Sequence, residues 1–461
     1  MNAINVTLVN SPVVFSETGT KDNDFKCREF VVPASLWKIK YFRRIFYYCH
    51  RHFGLGQGVR YGVRSGSRWP HTSSVPPAYN YIPYPFMLGY TASYLKANGV
   101  NVALMDGIAA GETSYKRFLA RVKSSNPDIV IMEGFASTRD VDLWFAKKVS
   151  EFAEVAVAGP LVGQEAENLM SENPYVRYWL KGEYILSSLK MCNERRPGIY
   201  ESEIVKDLDS IPFPFRDYPE AVNYLDGPLP EPQLQIWGSK GCPFKCSYCL
   251  FPHTLYKGNV TLRSPEKIAE EIRECVAKQG YKGIYFDDDT FNMGDERISK
   301  LCDYLKDIGL PWGIMARIDC SPLWLYDKMI DSGCVWMKFG VESFDPEVSR
   351  KIKKGLKIDN IYSVVEYLSN KYPDVTLHLT MMKNLPGQTE EIHCKDMQII
   401  HDLGFGKSPK RTYQLSSCIP FPGTAMYKDF VAKYGLKALE EMNAFDGSNK
   451  KFDERLTHLY D

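Results

Sequence analysis

The chain has 461 residues and almost balanced charge, 57 Lys plus Arg against 56 Asp plus Glu. That length allows roughly two to four domains with real cores, and the neutral balance gives no support for a nucleic-acid binder. With no signal-peptide layout at the N-terminus and no long uncharged apolar run, a cytoplasmic protein that does not span a membrane is expected.

Asn5 to Val9 alternates and predicts a first strand. The connection after it is unusual. Between Glu29 and Asp106 there is no Asp or Glu, while Lys38, Lys40, Arg43, Arg44, Arg51, Arg60, Arg64, Arg68 and Lys96 all fall there. Aromatics interleave with these charges from Trp37 to Tyr48, ahead of a Gly/Arg-rich stretch from Gly54 to Arg68 and a Pro-rich one from Pro76 to Pro85. The plain expectation is an insertion at 30–80 that packs over the body with its basic ends solvated. The sharper one is contact of 37–68 with an anionic substrate or an anionic membrane face.

From Pro85 the pattern alternates helix and strand: helix Pro85–Ala97, strand Val102–Met105, helix Thr113–Ser124, strand Ile129–Met132, helix Val141–Phe152, then strands Val155–Ala158 and Val176–Leu180. Apolar strands separated by helices predict a parallel sheet covered on both faces, a doubly wound, Rossmann-like α/β domain over 1–200. Ligands of such sheets sit beyond the carboxyl ends of the strands. Those ends carry Asp106-Gly107, Gly134 to Thr138, Gly159-Pro160 and Gly182-Glu183. Residues 201–232, rich in Pro and acidic residues, read as a linker.

After a strand at Leu234–Trp237 comes Gly241-Cys242-Pro243-Phe244-Lys245-Cys246-Ser247-Tyr248-Cys249. Three cysteines so spaced can face inward from one tight loop. They can hold three corners of a four-iron cluster, since thiolates are the usual ligands of iron–sulfur centres. The fourth iron would stay open. A closed zinc site completed by His253 is the alternative. Of the twelve cysteines, the other nine are scattered (Cys27, Cys49, Cys192, Cys275, Cys302, Cys320, Cys334, Cys394, Cys418) and read as small apolar residues, not as a disulfide framework.

Ser264-Pro265-Glu266 is a helix start, with Ile268, Ile272 and Val276 on one face. Further strands are predicted at Gly283–Asp287, Gly313–Arg317, Val335–Gly340, Val375–Met381 and Arg411–Leu415. With the first they make six strand–helix units over 233–430, fewer than a closed eightfold barrel. Asp287-Asp288-Asp289 end the second strand, where carboxylates need a cation, magnesium among the options. Arg317 ends the third and could grip a carboxylate, either a ligand's or a buried aspartate's. Residues 431–461 read as a charged helical tail.

The Cys-x3-Cys-x-aromatic-Cys run resembles the cluster loop of the radical S-adenosylmethionine (SAM) enzymes. The resemblance implies that Cys242, Cys246 and Cys249 bind a [4Fe–4S] cluster whose open iron chelates SAM. An electron from the cluster then yields a 5′-deoxyadenosyl radical. It implies SAM contacts at Tyr248, at the strand end Asp287, Asp288 and Asp289, at Arg317, and at Glu342 and Ser343 of Phe339-Gly-Val-Glu-Ser343. Asn384-Leu-Pro-Gly-Gln-Thr389, with Pro386 and Gly387, and Pro420-Phe-Pro-Gly-Thr424 resemble two later motifs of the family. The barrel is expected to be an open (β/α)6 partial TIM barrel. Val155-Ala-Val-Ala-Gly-Pro160 and Leu180-Lys-Gly-Glu183 resemble the cobalamin-binding domain that precedes many such barrels. By that resemblance Asp106, Gly107, Ala109, Gly111, Ser137, Thr138, Gly159, Pro160, Gly182 and Glu183 would surround the corrin. The histidines at 50, 52, 71, 253, 378, 393, 401 and 458 leave none on these loops to serve as a lower ligand.

The expected function is a cobalamin-dependent radical SAM methyltransferase acting on an unactivated carbon of a small molecule, anionic or lipid-like. A flavodoxin or ferredoxin would supply electrons. A radical cyclase or rearrangement enzyme is the second reading, and a zinc-binding non-enzyme the third. A methylthiotransferase is disfavoured because Cys27, Cys49 and Cys192 lie too far apart to bind a second cluster.

Overall fold

The structure, a computed structural model, describes residues 4–11, 61–62, 72–73, 81–110, 112, 115–136, 139–163, 166–441 and 452–461. Apart from two short strand pieces at 61–62 and 72–73, the basic and aromatic insertion lies outside the described residues, as do Gly111, Ser137 and Thr138.

Two parallel six-stranded sheets organise the chain. The first holds β1 (Asn5–Asn10), β2 (Asn101–Asp106), β3 (Ile129–Glu133), β4 (Glu154–Ala158), β5 (Tyr178–Leu180) and β6 (Gly198–Tyr200), in the order β2-β1-β3-β4-β5-β6. Alternation decides its two faces. Val9, Val130, Met132, Val155 and Val157 pack under the helices Tyr115–Ser124, Arg139–Val149 and Ala166–Glu172. Leu8, Leu104, Ile131, Ala156 and Ala158 pack on the other side with helices Phe86–Ala97 and Ile185–Glu194. Helix Phe86–Ala97 is buried almost all round, as a helix must be when both sides are covered. Its Phe86 stacks on Trp237 of the second unit at 4.4 Å, so one apolar core runs from the first sheet into the barrel.

The second sheet holds β7 (Gln233–Ile236), β8 (Gly283–Phe286), β9 (Trp312–Ala316), β10 (Cys334–Glu342), β11 (Thr376–Lys383) and β12 (Arg411–Ser417), paired in sequence order. β7 and β12 do not pair with each other, so the barrel is open, as expected. Residues facing the helices are apolar: Ile236, Ile284, Ile314, Met337, Phe339, Leu377 and Leu379. The alternate positions carry Tyr285, Met315, Lys338, His378 and Thr412. Lys338, His378 and Thr412 stand in register on three adjacent strands.

Some boundaries differ from the sequence reading. β5 begins at Tyr178 because Asn173 to Val176 form a turn. The helix predicted from Val141 starts at Arg139, and it ends at Val149. Helix Ile185–Glu194 and β6 were not anticipated. The linker is no loose tether: Leu208, Ile211, Phe215 and Tyr224 are buried in the shared core.

Candidate active site at the barrel mouth

The cysteine loop leaves β7 through a short antiparallel ribbon, Ser239–Lys240 against Thr261–Leu262. Gly241, at φ 86°, turns the chain where an added Cβ would run into the Asn259 carbonyl oxygen. The acidic end of β8 secures this entry. Asp288, fully buried, accepts from Gly238 N at 2.8 Å and Ser239 Oγ at 2.6 Å. Asp289 accepts from Gly241 N at 3.0 Å, and the Thr290 hydroxyl lies 3.4 Å from Cys242 Sγ. These two carboxylates are thus met by donors of the cysteine loop, while Asp287 is buried at the top of β8.

The loop's far side is held equally well. Ser247 N donates to Ile352 O at 2.9 Å, and Met426 N, in the first turn of helix Ala425–Tyr434, donates to Ser247 O at 2.9 Å. The His253 ring Nε2 sits 3.0 Å from the Cys246 carbonyl oxygen. The histidine therefore braces the loop instead of completing a zinc tetrahedron. Among the described residues no three His, Cys, Asp or Glu side chains converge on a single metal ion.

The three thiols share one environment. Burial raises the pKa of each, and for Cys249 the neighbouring Cys246, Asp289 and Cys242 raise it further. For Cys246, Lys354 and Arg317 oppose the burial. Three thiols close enough to repel as thiolates, beside two cations and in an apolar wall of Tyr248, Met382 and Cys418, suit a polynuclear iron–sulfur group better than bulk solvent.

Around them stand the ends of β9 and β10. Arg317 grips Asp319 with two nitrogens, at 2.7 and 3.0 Å, and lies 3.8 Å over the ring of Phe244 in the cysteine loop. Of the two options left open for Arg317, the pair with an aspartate is therefore present, with Asp319 partly buried. Glu342 sits at φ 71°, strained for a non-glycine residue, and is 3.0 Å from Lys354 Nζ. Burial acts to lower the Lys354 pKa, but Glu342 and the Cys246 thiol outweigh it and hold it raised. Ser343 is buried with its hydroxyl on Asp396 at 2.7 Å. Asn384 and Gly387 take left-handed turns that bring Pro386 and Gly387 beside the C-terminal segment: Gly387 N donates to Thr457 O at 2.8 Å.

Sequence reasoning missed Lys354, Asp396, Phe244 and above all that segment. Leu456 and Leu459 belong to the same apolar cluster as Cys246 and Tyr248, so the tail is a wall of the site.

The strand-end loops of the α/β domain meet residues 223–224 and, through Glu183, the entry of the cysteine loop. Asp106 is fully buried and accepts from Asn10 Nδ2, Ile108 N, Ala109 N and Tyr224 OH at 2.8–3.0 Å; burial nevertheless raises its pKa. Glu183 is bound by Lys240, next to Gly241, with Oε1 and Oε2 2.6 and 2.7 Å from its ammonium. Gly107 and Ala109 serve the same local turn, Gly159 packs on the end of β3, and Gly182 packs on Ser202. Pro160 opens the short turn Pro160–Val162. At the switch point between β1 and β3, where sheets of this order bind ligands, the Asn10 Oδ1 atom is buried without a hydrogen-bond partner among the described residues.

Residues 238–395 match the Radical SAM superfamily. An uncharacterized methyltransferase of Pyrococcus horikoshii is 25% identical over 382 residues, 76% of this chain and 78% of that protein. The radical SAM methyltransferase TsrM of Kitasatospora setae superposes with a TM-score of 0.61 at 14% identity, over 76% of this chain and 73% of that one. The cobalamin-dependent SAM radical enzyme OxsB superposes at 0.58 and 14%, over 87% of this chain and 52% of the other. The matched span contains the cysteine loop and most of the barrel, and a radical SAM domain implies a [4Fe–4S] cluster and SAM. Over the shares covered, the chain has the fold of these structures, two of which were solved with cobalamin bound.

Proposed function

We propose that this protein is a cobalamin-dependent radical SAM methyltransferase acting on a carbon of a small molecule held in the barrel lumen. The observation that carries the reading is the gathering of Cys242, Cys246 and Cys249 at the mouth of an open six-stranded barrel, in a loop tied to a parallel α/β sheet through the Lys240–Glu183 pair. The three thiols and the paired Glu342 and Lys354 fit the cluster and the charged end of SAM. The switch point with its orphaned Asn10 oxygen, and loops without histidine, fit a cobalamin held without a protein histidine ligand. When bound, the cluster and SAM supply one-electron cleavage chemistry and cobalamin supplies the methyl group.

The chain's own residues position and exclude. Asp288 and Asp289 fix the entry to the cysteine loop; the C-terminal segment keeps water from Cys246 and Tyr248. Within the lumen, Lys338 is paired with Asp226 at 3.6 Å, and beside it neutral His378, bonded through Nδ1 to Thr412 at 2.9 Å, has its Nε2 left to meet a polar substrate group. Electrons come from a flavodoxin- or ferredoxin-like donor, in the cytoplasm.

Anaerobic reconstitution should give about four irons per chain and formation of 5′-deoxyadenosine or S-adenosylhomocysteine from SAM, with cobalamin retained after gel filtration. Cys246→Ala should lose the cluster and both products. A Cys246→Ala protein that still turned over SAM, or a wild-type chain that took up zinc and no iron, would overturn the reading.

A further inference from the structure

We infer that Glu183 and Lys240 form a latch by which the α/β domain sets the position of the cysteine loop. The inference rests on the proposed function only for what the loop carries; the latch itself is built from contacts in the chain. Lys240 precedes Cys242 by two residues, and Glu183 stands on the loop after β5 of the other domain. Both side chains are 0% exposed. An ammonium has three donors, and three acceptors surround this one: Glu183 Oε1 at 2.6 Å, Glu183 Oε2 at 2.7 Å and Val205 O at 3.1 Å. Glu183 Oε1 also accepts from Val205 N at 3.0 Å, and the Glu183 backbone N–H reaches Ser202 Oγ at 3.0 Å.

An apolar pair of the same volume would join two domains at least as tightly, because desolvating two charges offsets most of their attraction. What a complete buried pair adds is a single geometry. A methyl group can slide along an apolar wall; this ammonium has only one place where all three donors are met. The helix that follows the cysteines is clasped at the same junction. The Thr254 side chain packs against Gly423 of the late barrel turn too closely for a side chain there, and its carbonyl oxygen is in ordinary contact range of Gly182 of the Glu183 loop, whose own space is closed by Ser202. The cysteine loop is thereby referenced to the α/β domain at its entry and at its exit. Lys240 acts as a positioning residue for whatever Cys242, Cys246 and Cys249 hold.

The test uses the full chain and the variants Lys240→Met, Glu183→Gln and Lys240→Met/Glu183→Leu. In the cofactor-free proteins, limited proteolysis within 201–232 and small-angle scattering report domain separation, with circular dichroism as the check on folding. Lys240→Met, which strands a buried carboxylate, should be cut about tenfold faster or more than wild type and be more expanded. The double variant, with no stranded charge, should regain protection. After anaerobic reconstitution, Glu183→Gln should keep the wild-type iron content but change the electron paramagnetic resonance line shape of the reduced cluster, which a purely structural pair would leave alone. The latch is overturned if Lys240→Met is as protected as wild type, if the double variant is as open as Lys240→Met, or if the Glu183→Gln spectrum matches wild type. Should Lys240→Met not fold, the Glu183→Gln spectrum and the double variant's protection decide. A wild-type chain that takes up no iron sinks the cofactor reading and leaves the proteolysis comparison to judge the latch.

Discussion

Lys354 shows what a single side chain can do at the barrel mouth and why it is hard to find beforehand. Its side chain is 9% exposed and 3.0 Å from Glu342, and it offsets the charge of a carboxylate held in a left-handed backbone conformation. Replacing it with Met should leave Glu342 as an uncompensated buried charge and lower stability by about 3–5 kcal/mol. Adding Glu342→Gln should return part of that loss, and denaturant titration of the two variants measures both. The cysteines announce themselves through spacing, and Glu342 through its Gly-x-Glu-Ser run. Lys354 sits in a Lys-Lys-Gly turn with no period and no motif, where a solvated charge is the ordinary expectation. Glu183 erred in the opposite direction. A strand-end carboxylate reads as a ligand contact, and only the fold reveals that its partner is a lysine 57 residues away.

At the level of elements, the second sheet was the most legible part. Its six strands fall within a few residues of the sequence reading, because each apolar stretch is bounded by a helix with clear ends. Ser264 caps its helix by accepting from Lys267 N, Pro265 and Glu266 fill the first turn, and Gly280 closes it in a left-handed cap. The short ribbon around Lys240 was hidden, since two-residue strands leave no periodic trace. It nonetheless fixes the cysteine loop. Gly241→Ala should strain a left-handed position by about 1–2 kcal/mol and add a collision with Asn259 O. The expected result is a barrel that folds with a modestly lower melting temperature but takes up little iron, read by calorimetry and metal analysis. The C-terminal segment was illegible for a different reason. Its charges describe the solvent side, and the two leucines that matter, Leu456 and Leu459, are too few to set a pattern.

The molecule as a whole carries two buried titratable groups in the barrel lumen whose effects oppose each other. Burial lifts Asp226 from 3.8 to about 6, with Lys338 opposing and Asp287 adding to the rise. The folded chain then keeps a proton that the unfolded chain releases. Its contribution to stability is full below the unfolded value and is lost as pH rises through 6. Burial, then Lys338, lowers His378 from 6.5 to about 3, with Gln414 opposing. Its contribution is full above the unfolded value and is lost as pH falls toward 3. Between about pH 4 and 6 the two slopes cancel. Asp226→Asn should therefore make the protein gain stability with rising pH in that window, by up to about 1.4 kcal/mol per pH unit, and His378→Gln should make it lose stability. Urea midpoints at two pH values distinguish the two. The particular contact between Glu183 and Lys240 could not be read beforehand, because it depends on a pairing far apart in sequence. The wall formed by Leu456 and Leu459 also has a meaning in time. Synthesis proceeds from the N-terminus, so Asn5 to Tyr200 have left the ribosome before Cys242 is joined. A chain made only as far as the barrel presents the three cysteines with one side of their chamber built and the wall from Leu456 and Leu459 still missing.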